Sequence, residues 1–155
     1  MRITKLSLIA AVLVVPASTQ VSTNDAALRT LRHSHPTVGW NAKSAIMADV
    51  DCDGKPDTIV FGSDKDKVAI GVVSGASPGK PQVFFFPKSS NAQGGFCASP
   101  VRIETSQLEC ESPVGALPGC KPLKECRAFS VIDDECDPFN FYWDSSRKSL
   151  AWWRN

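Results

Sequence analysis

Four aspartates crowd the nine-residue stretch Asp49-Val50-Asp51-Cys52-Asp53-Gly54-Lys55-Pro56-Asp57, at positions 1, 3, 5 and 9, with a glycine at position 6. Like charges at this spacing repel unless a cation is held between them, and an all-oxygen donor set suits a hard cation, calcium above all. Gly54 permits a sharp backbone turn, and the carbonyl of Lys55 supplies a further oxygen. Asp49, Asp51, Asp53, Lys55 and Asp57 are therefore the candidate metal ligands, with Ca2+ as the expected cofactor. A helical calcium hand is not expected. Position 12 of the loop is Val60, where a bidentate glutamate would belong, and the chain leaves through Thr58-Ile59-Val60-Phe61-Gly62, a strand pattern.

Catalytic sets are poorly supported, and the expectation is a binding protein and not an enzyme. His33 and His35 lie in a polar stretch closed by Pro36, with no neighbouring serine or cysteine in a nucleophile context. Carboxylate pairs such as Glu104 with Glu109, or Asp133 with Asp134, exist on paper, but sequence does not show the separation across a cleft that glycoside hydrolysis requires. Gly94-Gly95 and the segment from Gly75 to Lys80 do not match a phosphate loop.

Six cysteines, Cys52, Cys97, Cys110, Cys120, Cys126 and Cys136, bear on the compartment. No Cys-x-x-Cys pair offers a zinc site, so an even count in an exported chain reads as disulfides. Six cysteines allow 15 pairings; Cys52 with Cys97 is the first pair expected. Export itself is read from the N-terminus. Arg2 and Lys5 precede the apolar run Leu6 to Val15, and Pro16-Ala17 supplies a break and a small residue. The expected organisation is a signal peptide over 1–17 and one disulfide-stabilised domain over 18–155, periplasmic or secreted. The apolar run is shorter than the ~20 residues of a comfortable membrane span. Loss of Arg2 and Lys5 takes Lys plus Arg from 17 to 15, against 16 Asp plus Glu. Such a balance gives no electrostatic argument for nucleic acid or an anionic membrane as partner.

The elements that must hold the acidic loop are mostly strands. A short helix is expected over 24–32, capped by Asn24 or Asp25, with Ala27, Leu28 and Leu31 on one side. Eight short runs follow, rich in β-branched and aromatic residues: 45–48, 58–61, 68–73, 82–86, 101–104, 128–132, 139–143 and 150–153. Gly, Pro, Ser, Asn and Asp separate them, as turns separate antiparallel strands. Segments 74–81 and 88–95 read as connections. Near the C-terminus Phe139, Phe141, Tyr142, Trp143, Trp152 and Trp153 fall into two runs around a turn at 144–148. Alternation sends Phe139, Phe141 and Trp143 to one face and Tyr142 to the other. They pack across strands or offer a stacking surface to a glycan or protein partner.

The stretch Ala-Asp-Val-Asp-Cys-Asp-Gly-Lys-Pro-Asp-Thr-Ile-Val-Phe-Gly, 48–62, resembles the calcium loop and following strand of FG-GAP and related propeller-type repeats. Asp49, Asp51, Asp53, Asp57 and Gly62 match that pattern; Cys52 departs from its usual glycine. The resemblance implies a mainly β fold, a small antiparallel domain similar to propeller blades in distorted or partial form. Over the whole exported part, one such loop, dispersed cysteines and the aromatic C-terminal segment resemble small periplasmic immunity proteins that neutralise peptidoglycan-cleaving effectors, similar in architecture to lysozyme inhibitors. Ser74-Gly75-Ala76 is similar to the Ser-Gly loop of such inhibitors, although the aromatic residue expected after it is missing. The resemblance implies a lysozyme-like peptidoglycan hydrolase or secreted effector as partner, met through Ser74 and Gly75 or through Tyr142, Trp143 and Trp152. A calcium-stabilised glycan-binding or adhesion module is the alternative.

Overall fold

The structure, a computed structural model, describes residues 19–88, 94–98, 100–113 and 115–155, with side chains from Thr23 onward. The expected leader lies outside the described residues. The chain runs through α1 (Thr19–Ser34), β1 (Gly39–Trp40), a 3-10 turn (Ala42–Ser44), β2 (Ile46–Ala48), β3 (Asp57–Asp64), β4 (Lys67–Val73) and β5 (Gln82–Pro87). It continues with β6 (Arg102–Gln107), β7 (Glu111–Ser112), β8 (Gly115–Ala116), β9 (Arg127–Ile132), β10 (Phe139–Asp144) and β11 (Ser149–Trp153). The fold is mainly β, built from two antiparallel sheets.

In the first sheet β2, β3, β4 and β5 lie side by side in chain order, and β1 pairs with the far end of β3. In the second, β6, β9, β10 and β11 are neighbours in that order, while β7 and β8 form a separate small hairpin between β6 and β9. The sheets stack through Val50, Ile59, Val68, Ile70, Val72 and Phe86 from one side and Phe129, Val131, Phe139, Phe141 and Leu150 from the other. Phe129 and Phe141 stack at 4.6 Å, and Phe86 lies 4.2 Å from Phe139.

The helix covers the outer face of the first sheet. Ala27, Leu28 and Leu31 meet Val38, Trp40, Val60, Ala69 and Val73 there. This explains a contrast in the sequence. Strands β3 and β4, covered on both faces, are near-continuous apolar runs, whereas β9 alternates because only one of its faces is fully buried. Helix α1 begins earlier than expected, so Asn24 and Asp25 lie inside it and are not its cap. No Gly or Pro interrupts 19–34, and packing on the sheet outweighs the weak preference of Asn and Asp for a helix start. Among the described residues no helix is long and apolar enough to cross a membrane.

All six cysteines are paired: Cys52–Cys126, Cys97–Cys136 and Cys110–Cys120. The expected pair Cys52–Cys97 is thus corrected. The Arg127 amide donates to the Asp49 carbonyl at 2.8 Å, which sets Cys126 beside the acidic loop. Cys97 is held instead near Cys136, since the amides of both residues donate to Asp133.

Candidate functional site

The acidic loop fills the turn between β2 and β3. Ala48 and Asp57 face each other across those strands, so both ends of the loop are fixed by the sheet. Within it, Asp49 accepts from the amides of Asp53 and Gly54, Asp51 also accepts from the Asp53 amide, and Asp53 accepts from the Lys55 amide at 2.8 Å. Cys52 and Gly54 take positive φ of 63° and 85°. Gly54 adopts this freely, as expected of the turn glycine; Cys52 is held there by its disulfide and the surrounding amide bonds.

Oxygen atoms of Asp49, Asp51 and Asp57 come within 4.8 Å of one another, a grouping that could hold a metal ion. The donor set is entirely carboxylate oxygen, which fits a hard divalent cation. Asp53, the fourth expected ligand, is exposed and lies outside this trio. Burial pushes the Asp51 carboxyl above the usual carboxylate range, with the charges of Asp53 and Asp49 adding to the rise and a hydrogen bond with the Ser74 side chain opposing it. The Asp57 carboxyl is pushed up to about 6 by burial, against the pull of amide donors from Gly75 and Val50, and the Asp51 charge raises it further. Both shifts express the cost of burying negative charge beside negative charge.

Asp57 also joins this loop to the next. One carboxylate oxygen accepts from Val50 and Asp51, at 2.8 and 3.1 Å, and the other accepts from the Gly75 amide at 2.9 Å. The neighbouring Ser74 hydroxyl accepts from the amides of Ala76 and Ser77. A Cβ on Gly75 would stand 2.4 Å from the Pro56 carbonyl oxygen, so only glycine allows this approach. The juxtaposition comes from the β3–β4 hairpin. Its register sets Thr58 opposite Val73 and Asp64 opposite Lys67, so Asp57, at the start of β3, lies beside the chain leaving β4 and reaches the Gly75 amide. That signal was present in the sequence, as two apolar runs separated by a short Asp-Lys-Asp-Lys turn.

The other expected contact residues divide. Ser74 is half-buried and Gly75 exposed, at the root of an exposed 75–80 loop. Trp152 is 43 % exposed, on the edge strand β11. Tyr142 is corrected: it is buried, and its hydroxyl donates to the Pro118 carbonyl at 3.2 Å. Trp143 is likewise largely taken up against the main core. Neither is a projecting anchor. The alternation expected of this hairpin holds, with Phe139, Phe141 and Trp143 toward the inter-sheet core and Tyr142 on the other side.

Asp133 accepts four amide hydrogen bonds and Glu104 pairs with Arg102, so these carboxylates hold structure together. Exposed His33 stands apart, and His35 packs near Phe85. No family model, curated protein or solved structure matches the chain.

Proposed function

We propose that this protein is a periplasmic or secreted calcium-binding inhibitor of a lysozyme-like, peptidoglycan-degrading enzyme, and that the 74–81 loop is its blocking element. The observation that carries the reading is the shared anchorage of two loops: Asp57, which would hold calcium with Asp49 and Asp51, also holds the amide of Gly75, the neighbour of Ser74. Asp53 and the Lys55 carbonyl, both on the same exposed loop, complete the proposed ligand set. When bound, the cation offsets the repulsion among the carboxylates and fixes the loop's base. A loop ordered before association loses less conformational entropy on binding. The strand order supports the family likeness, since each sheet contains a four-stranded antiparallel run in chain order, as in propeller blades.

The test is a wall-lysis assay with the hydrolase captured on the immobilised, calcium-loaded protein from a periplasmic extract. Lysis should slow in its presence. Gly75→Ala, which drives a Cβ into the Pro56 carbonyl, should weaken inhibition by about tenfold or more, equivalent to ~1.4 kcal/mol. Calorimetry should show Asp51→Ala and Asp53→Ala losing calcium affinity. Folded, calcium-loaded protein that captures no hydrolase and gives no protection would refute the inhibitor reading; unchanged calcium binding in both variants would refute the metal site.

A further inference from the structure

The two sheets differ on their outer faces. Helix α1 covers the first, whereas no element of comparable size lies on the second among the described residues. There a groove of about 210 Å³ opens between the outer face of β6, β9 and β10 and the segment leading through the β7–β8 hairpin. Its shape follows from side-chain size. Small Ala128 lies opposite Ser106, while the larger Tyr142 and Trp153 line the same groove.

We propose that this groove binds a saccharide, and that it favours amino sugars over acidic ones. Four exposed side chains on its rim, those of Ser106, Gln107, Glu109 and Glu111, make no hydrogen bond or ion pair among the described residues. Two are acceptor-only carboxylates; the amide and the hydroxyl both donate and accept. A guanidinium or ammonium alone would leave the N–H and O–H donors of Gln107 and Ser106 unmatched, because it has no acceptor. Sugar hydroxyls match the whole set. The two carboxylates meet no cationic side chain in the groove lining, so a sugar carboxylate or phosphate is repelled and an ammonium is attracted. Trp153, part-exposed in the lining, gives the groove apolar surface for the C–H face of a sugar ring. The volume lies below the ~300–1,000 Å³ of sites for drug-sized ligands, which suits one ring of a longer chain.

The groove is also firmly built. Ser130 donates to Asn140 at 2.7 Å on its floor, and Tyr142 is tied to Pro118. The Cys110–Cys120 disulfide closes the segment that carries Glu111. Binding therefore requires little ordering of the protein.

The oxidised, full-length protein would be titrated with a glucosamine trimer, a galacturonic acid trimer and N-acetylarginine amide, read by tryptophan fluorescence and amide chemical shifts. The glucosamine trimer should bind saturably, shifting Ser130, Asn140 and Trp153, with the galacturonic acid trimer at least about tenfold weaker. Glu109→Gln and Glu111→Gln, both on exposed residues, should each weaken glucosamine-trimer binding by about tenfold, the scale of one charge-assisted hydrogen bond. The proposal fails if no sugar gives saturable shifts or if neither substitution weakens binding. It also fails if N-acetylarginine amide binds the same residues as well as the trimer does, since the groove would then be a seat for a cationic protein side chain. The hydrolase reading is judged separately, from Gly75→Ala in the lysis assay.

Discussion

Two buried aspartates, Asp57 and Asp133, do the same work in different sheets: each gathers backbone amides from two separate chain segments. Asp133 accepts from Cys97 and Ala98 on one side and from Glu135 and Cys136 on the other, at 2.6 to 3.3 Å. Burial alone would raise its carboxyl, but the amides outweigh that and hold it below the usual carboxylate value. A depressed folded-state value means that its contribution is present above the unfolded value, ~3.9, and is lost as pH falls below it. Asp133→Ala should therefore cost at least about 2 kcal/mol at neutral pH, as several amides lose their acceptor. In urea titrations, the difference between the native protein and Asp133→Asn should narrow below about pH 4. An unchanged gap there would exclude the ionised carboxylate as the source of the effect. At this scale the sequence revealed the acidic loop, because charges so close in the chain are close in space. It did not reveal Asp133, whose partners lie up to 36 residues away, nor the burial of Tyr142, which depends on a loop from a different part of the chain.

The helix and the β1 segment that follows it approach the first sheet over two glycines on its strands. A Cβ on Gly71 would come within 2.8 Å of Leu31 and Trp40, and one on Gly62 within 2.6 Å of Val38. Gly71→Ala should push α1 outward and cost about 1–3 kcal/mol, read as a lowered denaturation midpoint with faster hydrogen exchange in 24–34 and little change in β9 to β11. Uniform loss across both sheets would show instead that the helix layer is not separable from the rest. Elements were the most legible scale. All eight expected strand runs are present, some longer by a few residues, because β-branched and aromatic runs between turn residues carry their own signal. The two-residue strands β1, β7 and β8 escaped notice, being too short to show any alternation.

Across the molecule, the disulfides divide the labour. Cys110–Cys120 closes ten residues within one excursion, Cys97–Cys136 spans 39, and Cys52–Cys126 spans 74 and joins the acidic loop to the segment entering the second sheet. Pairing of this kind was illegible in the sequence, because spacing alone does not say which loops the sheets bring together. Replacing Cys52 and Cys126 by serine should destabilise the protein by about 4 kcal/mol on a chain-entropy estimate for such a loop. Guanidinium titration of the double variant would measure this, and calcium calorimetry should show a weaker site; an unaltered site would mean that the loop is held by its amide bonds alone. The same connectivity bears on assembly. The first four-stranded run consists of neighbours in sequence, and the second is interrupted only by the β7–β8 excursion that the Cys110–Cys120 link closes, so most strand pairing within each run is local and can form early. Cys52 and Cys126 stand on different halves, one in the acidic loop of the first sheet and the other at the entry to β9. Their bond is therefore a tether between the two runs: with it in place the sheets can part but cannot drift away from each other.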